Sequence, residues 1–248
     1  MLRNTAPVPT DRSEAAEREL QTFSYLVSHD LAASLRQVTE FSRLLAPQSE
    51  AGLDGEDGLH ARLLLNASAK CQLMLEQLLV FSRAQQKALA RTPQDATAIL
   101  RLPLLRLASR VNAAGGDIAI APLGEVFADP DLFLLAVGQL LDNAIKFARP
   151  GVAPRITVEA AHDATFWRVR INDNGLGVEP IYREKAFQMF QRLNAEGAYP
   201  GVGAGLAICR RIARRHGGEA EFVDCDEGAC VQLSLPHAGQ SPVLDGGG

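Results

Sequence analysis

Leu20, Val27, Ser34 and Phe41 recur at every seventh position, with Leu31, Val38 and Leu45 interleaved three or four residues away. A repeat of that period lies as one seam along an α-helix and fits no strand. Pro47 ends the run, a polar loop with Gly52, Gly55 and Gly58 follows, and Leu64, Ala67, Cys71, Met74, Leu78 and Phe81 repeat the seam. The chain is therefore expected to start as an antiparallel helical hairpin. A lone hairpin leaves much of both apolar faces wet. Pairing two hairpins into a four-helix bundle covers them, which predicts a homodimer.

The pattern changes near Arg91-Thr92-Pro93. Beyond it, strand-like runs at 117–121 and 126–128 precede an amphipathic helix over 130–148. Strands at roughly 155–161 and 166–172, a helix over 203–216 and a hairpin over 219–235 complete an α/β sandwich with helices on one face of a mixed sheet. The expected organisation is a helical domain over 12–92 and an α/β domain over 93–238. The Pro-, Ser- and Gly-rich ends, 1–11 and 239–248, read as disordered.

Composition removes several function classes. With 47% hydrophobic and 22% charged residues the chain can bury a core, and a net charge of -4 offers nucleic acid no basic field. No apolar run approaches the ~20 residues that span a bilayer, and the N-terminus lacks a signal-peptide core, so a cytoplasmic protein without membrane insertion is expected. Cys71, Cys209, Cys225 and Cys230 lack the paired spacing of a zinc site and read as buried free thiols.

The seam also orients Ser28-His29-Asp30. With Val27 and Leu31 on the seam, His29 lies near the opposite side of its helix and faces solvent. An exposed neutral imidazole can accept a phosphoryl group, and the adjacent Asp30 carboxylate can orient the ring and take up its proton. Alone, such a tripeptide is more often a solvated helix face.

The α/β half carries the complementary chemistry. Asn143 and Lys146 are three apart and share a helix face, where an amide oxygen can complete a Mg2+ shell and an ammonium can meet phosphate. Asp173 closes a strand in which Trp167, Val169 and Ile171 share its parity, so its carboxylate points to the covered side, where an adenine amino group can partner it. Gly175 and Gly177 permit close approach of backbone to base. Gly201, Gly203 and Gly205 lead into the helix from Leu206 and aim amide donors at phosphate oxygens. Their spacing is neither the dinucleotide-binding pattern nor a P-loop, which needs a Lys-Ser or Lys-Thr.

Taken in order, Asn143-Ala-Ile-Lys-Phe, Asp173-Asn-Gly-Leu-Gly, Phe187-Gln-Met-Phe190-Gln-Arg192-Leu and Tyr199-Pro-Gly-Val-Gly-Ala-Gly-Leu-Ala-Ile resemble the nucleotide-binding boxes of the Bergerat-type ATPase domain of sensor histidine kinases. Phe23-Ser-Tyr-Leu-Val-Ser-His29-Asp-Leu is similar to their phosphoacceptor box, in the form often found with phytochrome-type sensors. The resemblance covers about Leu20 to Pro236. It implies that His29 accepts phosphate from ATP with Asp30 as acid/base partner, that Asn143 holds Mg2+, that Lys146 meets the phosphates and that Asp173 accepts from adenine. It further implies that Gly175, Gly177, Gly201, Gly203, Gly205 and Leu206 form the pocket and its lid, that Phe187 and Phe190 pack where the lid begins, and that Arg192 steadies the γ-phosphate. The phosphoryl group would pass to the receiver domain of a response regulator, with a hinge near Arg91.

Two departures stand out. After His-Asp-Leu the family has Arg, then Thr or Asn, then Pro, whereas this chain has Ala32-Ala33-Ser34. The polar residue missing at Ala33 orients water in relatives that dephosphorylate their regulator, so weak phosphatase activity is expected. Gln139, one turn before Asn143, stands where the family commonly has a second Asn, and it lengthens the arm that would reach the metal. Two other readings stay open: a histidine phosphotransfer protein with a non-catalytic nucleotide domain, and an interaction module of the same ATPase superfamily. The upstream sensor is expected to be a partner, a ligand at the bundle or a longer parent chain.

Overall fold

The structure is a computed structural model and describes Thr39, residues 56–194 and residues 199–239. His29, Asp30, Ala33 and the first predicted helix apart from Thr39 lie outside the described residues. The chain divides into two compact units, Met1–Ser82 and Arg83–Gly248.

In the first unit, α1 (Glu56–Gln86, whose last turn belongs to the second unit) confirms the second predicted helix and extends it. The expected seam is only partly covered in a single chain. Ser68 and Ser82 are buried, whereas Leu64, Ala67 and Cys71 are exposed and Met74, Leu78 and Phe81 half-buried. Ser68 meets the Thr39 hydroxyl, and Gln72 Nε2 donates to Thr39 Oγ1 at 2.9 Å. Thr39 thus meets the side of α1 that carries Ser68 and Gln72, and Leu64, Ala67 and Cys71 are open in one chain.

The second unit is an α/β sandwich. Its elements are β1 (Thr92–Asp95), α2 (Ala96–Ala113), β2 (Asp117–Ile120), β3 (Glu125–Ala128), α3 (Pro130–Lys146), β4 (Arg155–His162) and β5 (Phe166–Asp173). A 3-10 turn (Pro180–Tyr182), α4 (Arg183–Ala186), α5 (Gly205–Arg215), β6 (Glu219–Val223) and β7 (Ala229–Pro236) follow. The sheet order is β2-β4-β5-β7-β6, parallel between β2 and β4 and antiparallel elsewhere, with β1 and β3 forming a separate two-stranded ribbon. Alternation sets the two faces. Trp167, Val169, Ile171, Leu233 and Leu235 are buried together with Phe133, Val137, Leu140 and Leu141 of α3, and the Phe133 and Trp167 rings meet edge to face at 5.6 Å. The intervening positions are polar: Arg170 donates to Gln232 Oε1 at 2.9 Å, and Gln232 donates to Glu221 at 3.2 Å.

Helix starts follow their caps. Asp95 accepts from Ala98 N, and Asp129 accepts from Leu132 N with Pro130 in the first turn. Of the cysteines expected to be buried, Cys209 and Cys230 are, whereas Cys71 and Cys225 are exposed; all four are free thiols. Cys225 follows the end of β6 in the turn to β7 rather than lying in a strand, which explains its exposure. Among the described residues no helix is long and apolar enough to cross a membrane.

Candidate nucleotide site

α3 and α5 run side by side, and the C-terminal end of α3 meets the N-terminal end of α5 above the sheet. A cavity opens there, lined from α3 by Leu140, Asn143 and Lys146, from β5 by Ile171 and Asp173, from the turns by Gly177, Arg192, Tyr199, Gly201 and Gly203, and from the start of α5 by Gly205 and Leu206. Nine of the residues expected at the site from sequence are thus brought to one cavity.

At the inner end, Asp173 Oδ1 accepts from Gly175 N at 2.8 Å and Ala229 N at 3.2 Å. Burial pushes this carboxyl up to about 6, and the two N–H groups and the charge of Arg149 offset only part of that rise. Such a carboxylate gains from a further donor. Asn174 fixes its setting: Oδ1 accepts from Arg155 N at 2.8 Å and Nδ2 donates to Ala153 O at 3.0 Å, tying the end of β5 to the start of β4.

At the outer end the charge is positive. Burial lowers the Lys146 ammonium; Asp142 counters part of this, and Arg192 and Arg110 lower it further. Lys146 Nζ lies 4.6 Å from the Phe147 ring centroid and makes no ion pair among the described residues. Arg192 donates to Tyr199 O at 2.8 Å. The first turn of α5 has no side-chain cap at Ala204, so its N–H groups also face this end. Two cations and an uncapped helix start together suit an anion.

Two glycines are required by geometry. Gly203 has φ of +77°, and a Cβ there would collide with the Gln191 carbonyl oxygen. A Cβ on Gly205 would lie 2.7 Å from Gln139 Oε1 and 3.5 Å from the Asn143 amide nitrogen. Gln139 therefore sits behind Gly205, beside Asn143, without lining the cavity. Both are neutral amides and Asp142 is paired with Arg110 at 2.5 Å. The donor set fits Mg2+ that arrives with nucleotide phosphates supplying most of its ligands.

Three other expected residues are supporting rather than lining. Gly175 acts through the N–H held by Asp173. Phe187 is buried, edge to face with Phe222 at 5.4 Å and covered by the Arg210 guanidinium at 3.7 Å. Phe190 has φ of +62°, a left-handed conformation costly for a non-glycine, and donates its N–H to Gly203 O at 2.9 Å. The sequence reading gave no role to Phe147 or Tyr199, whose rings meet at 5.3 Å across the cavity wall.

Residues 128–239 match the family described as histidine kinase-, DNA gyrase B-, and HSP90-like ATPase. The chain carries a sensor histidine kinase catalytic domain. Cyanobacterial phytochrome A of Nostoc sp. is 31% identical over 229 residues, 92% of this chain and 30% of the phytochrome. The solved mycobacterial sensor histidine kinase MprB is 29% identical with a TM-score of 0.51, covering 59% of this chain and 97% of that one. Full-length ShkA in complex with AMPPNP shares the fold at a TM-score of 0.64 and 23% identity, over 90% of this chain and 47% of that one. The chain spans about three tenths of the length of the first curated relatives it matches. The kinase-type domain thus places its nucleotide boxes where the cavity lies.

Proposed function

We propose that the chain is the kinase core of a two-component signalling protein. Mg-ATP enters the cavity with its adenine amino group on Asp173 and its phosphates toward Lys146, Arg192 and the start of α5. Asn143, with Gln139 beside it, holds Mg2+. The bond between the γ-phosphorus and the bridging oxygen of ADP breaks, a bond from phosphorus to a ring nitrogen of His29 forms, and the displaced imidazole proton goes to Asp30. The phosphoryl group then moves to an aspartate of a response regulator receiver domain, in the cytoplasm where ATP is supplied.

The observation that carries this reading is the joining of a buried carboxylate, with a raised pKa and room for a donor, to a desolvated cationic end 27 positions away in sequence on a different element. Exposed Leu63 and Leu64 on α1, 56% and 57% accessible in one chain, support a homodimer through the helical hairpin. Alanine at position 33 supports weak phosphatase activity. The test is labelling with γ-labelled ATP and Mg2+. Label that is lost in acid, kept in base and absent from His29→Gln supports the assignment, and unimpaired labelling of His29→Gln ends it.

A further inference from the structure

The ends of α3 and α5 remote from the cavity hold the chain that enters the second unit. Arg215, in the last turn of α5, donates through its two terminal nitrogens to the carbonyls of Ala84 and Lys87, the latter at 2.6 Å. Lys87 Nζ reaches the wholly buried Asp129 at 2.7 Å, and Ala90 N donates to the other oxygen of the same carboxylate at 3.2 Å. Arg91 donates to His216 O at 3.2 Å, at the exit of α5. These bonds answer groups that the helices themselves leave over. Asp129 is the N-cap of α3 and draws in positive charge and an N–H, while the terminal carbonyl of α5 draws in a guanidinium.

Burial alone would raise the Asp129 carboxyl, but the Lys87 ammonium and the N–H groups of Leu132 and Ala90 outweigh it and hold the group below the ordinary carboxylate range. The segment from Ala84 to Arg91, read from sequence as carrying a hinge at Arg91, is therefore tied down at both helix ends. α3 and α5 lead from this anchorage to Asn143 and Gly205 at the cavity.

We propose that Arg215 is a positioning residue: by gripping the Ala84 and Lys87 carbonyls it fixes how the chain enters the nucleotide-binding unit, and transfer of phosphate to histidine depends on that anchorage whereas nucleotide binding does not. The inference rests on the kinase reading above. A guanidinium serves two carbonyls at once because its donors are fixed in a plane; an ammonium offers no such fork. Loss of the grip leaves the cavity intact and loosens the segment through which reacting groups must be aligned, where small misplacements cost large factors in rate.

The test uses the full-length chain with Arg215→Ala, Arg215→Lys and Arg91→Ala. Expected for Arg215→Ala are an ATP dissociation constant within about twofold of wild type, a fall of about tenfold in the labelling rate at saturating ATP with KM unchanged, and faster amide exchange over 84–91. Arg215→Lys falls between. If Arg215→Ala does not fold, Arg91→Ala, which loses the bond to His216 O and the contact with the Phe127 ring, carries the test with a fall in the same direction. Wild type that never labels His29 defeats the kinase reading. Wild type that labels, with folded variants labelling equally fast or losing nucleotide affinity in parallel, overturns the anchor.

Discussion

The backbone N–H of Asp129 donates to His216 Nε2 across 3.0 Å, and both residues are wholly buried. An acceptor nitrogen carries no proton, so the hydrogen is on Nδ1, which donates to Ile212 O at 2.8 Å. Burial lowers the His216 pKa, with the Ile212 carbonyl and the Asp129 charge opposing and Arg91 and Arg215 reinforcing. The folded state therefore binds fewer protons at this site than the unfolded state, and its stabilisation is present above the ordinary histidine pKa of about 6.5 and is lost as pH falls below it. Asp173 has the opposite sign: its raised pKa makes the folded state bind more protons between the ordinary carboxylate range and about 6. Urea unfolding of Asp173→Asn should thus show stability declining from pH 7 to 5.5 more steeply than wild type. Equal slopes would exclude the Asp173 contribution, and an Asp173→Asn protein with no decline over that range would exclude that of His216.

With adenine on Asp173, as proposed, nucleotide affinity is expected to depend on pH. The adenine amino group is a donor and needs the ionised carboxylate, which in the empty site forms only above about 6. ATP affinity measured calorimetrically should be level above pH 7 and fall by up to about tenfold per pH unit below 6. Asp173→Asn should bind ATP at least about tenfold more weakly at pH 7.5, equivalent to about 1.4 kcal/mol. Without nucleotide it should melt higher than wild type at that pH, because a buried charge is gone while the N–H groups of Gly175 and Ala229 keep an acceptor. A variant that loses both affinity and stability would point to a structural role.

Much of the α/β half was legible because its alternation and caps are local. Trp167, Val169 and Ile171 fixed the inner face of β5, and with it the direction of Asp173. The glycine boxes were legible as a set, since four in order constrain more than any one. α2 was not identified: Pro103 lies inside it, and the packing of that buried proline opposite Gly138 of α3 is a tertiary relation that no periodicity displays. The roles of Asp129 and His216 were hidden for the same reason, being 87 residues apart. The seam on α1 is not settled by one chain: Leu64, Ala67 and Cys71 lie open where a second hairpin is expected, and the first predicted helix lies outside the described residues apart from Thr39.

Gly203 and Gly124 separate local strain from site geometry. Both have positive φ, +77° and +71°, but a Cβ on Gly124 meets nothing within 4 Å, whereas one on Gly203 strikes the Gln191 carbonyl. Gly124→Ala should cost the left-handed penalty of about 1–2 kcal/mol and leave ATP binding unchanged. Gly203→Ala must also displace Gln191, and with it the Phe190–Gly203 hydrogen bond, so ATP binding should fall at least about tenfold in isothermal titration. Equal effects on binding would mean that the contact with Gln191 is irrelevant to the site.

The cationic end is tested by comparing ligands that differ only in phosphate. Lys146 is held partly desolvated beside Arg192, an arrangement unfavourable until an anion enters. A charge-assisted hydrogen bond contributes about 1.5–3 kcal/mol, so Lys146→Met should weaken ATP binding by about ten- to a hundredfold. Adenosine makes no phosphate contact, and its affinity should be unchanged in Lys146→Met and reduced in Asp173→Asn. Removing one of two facing cations should also raise the melting temperature of the empty protein, an effect that fades in high salt. If Lys146→Met weakened adenosine and ATP alike, the ammonium would be supporting the pocket wall through the Phe147 ring rather than meeting phosphate.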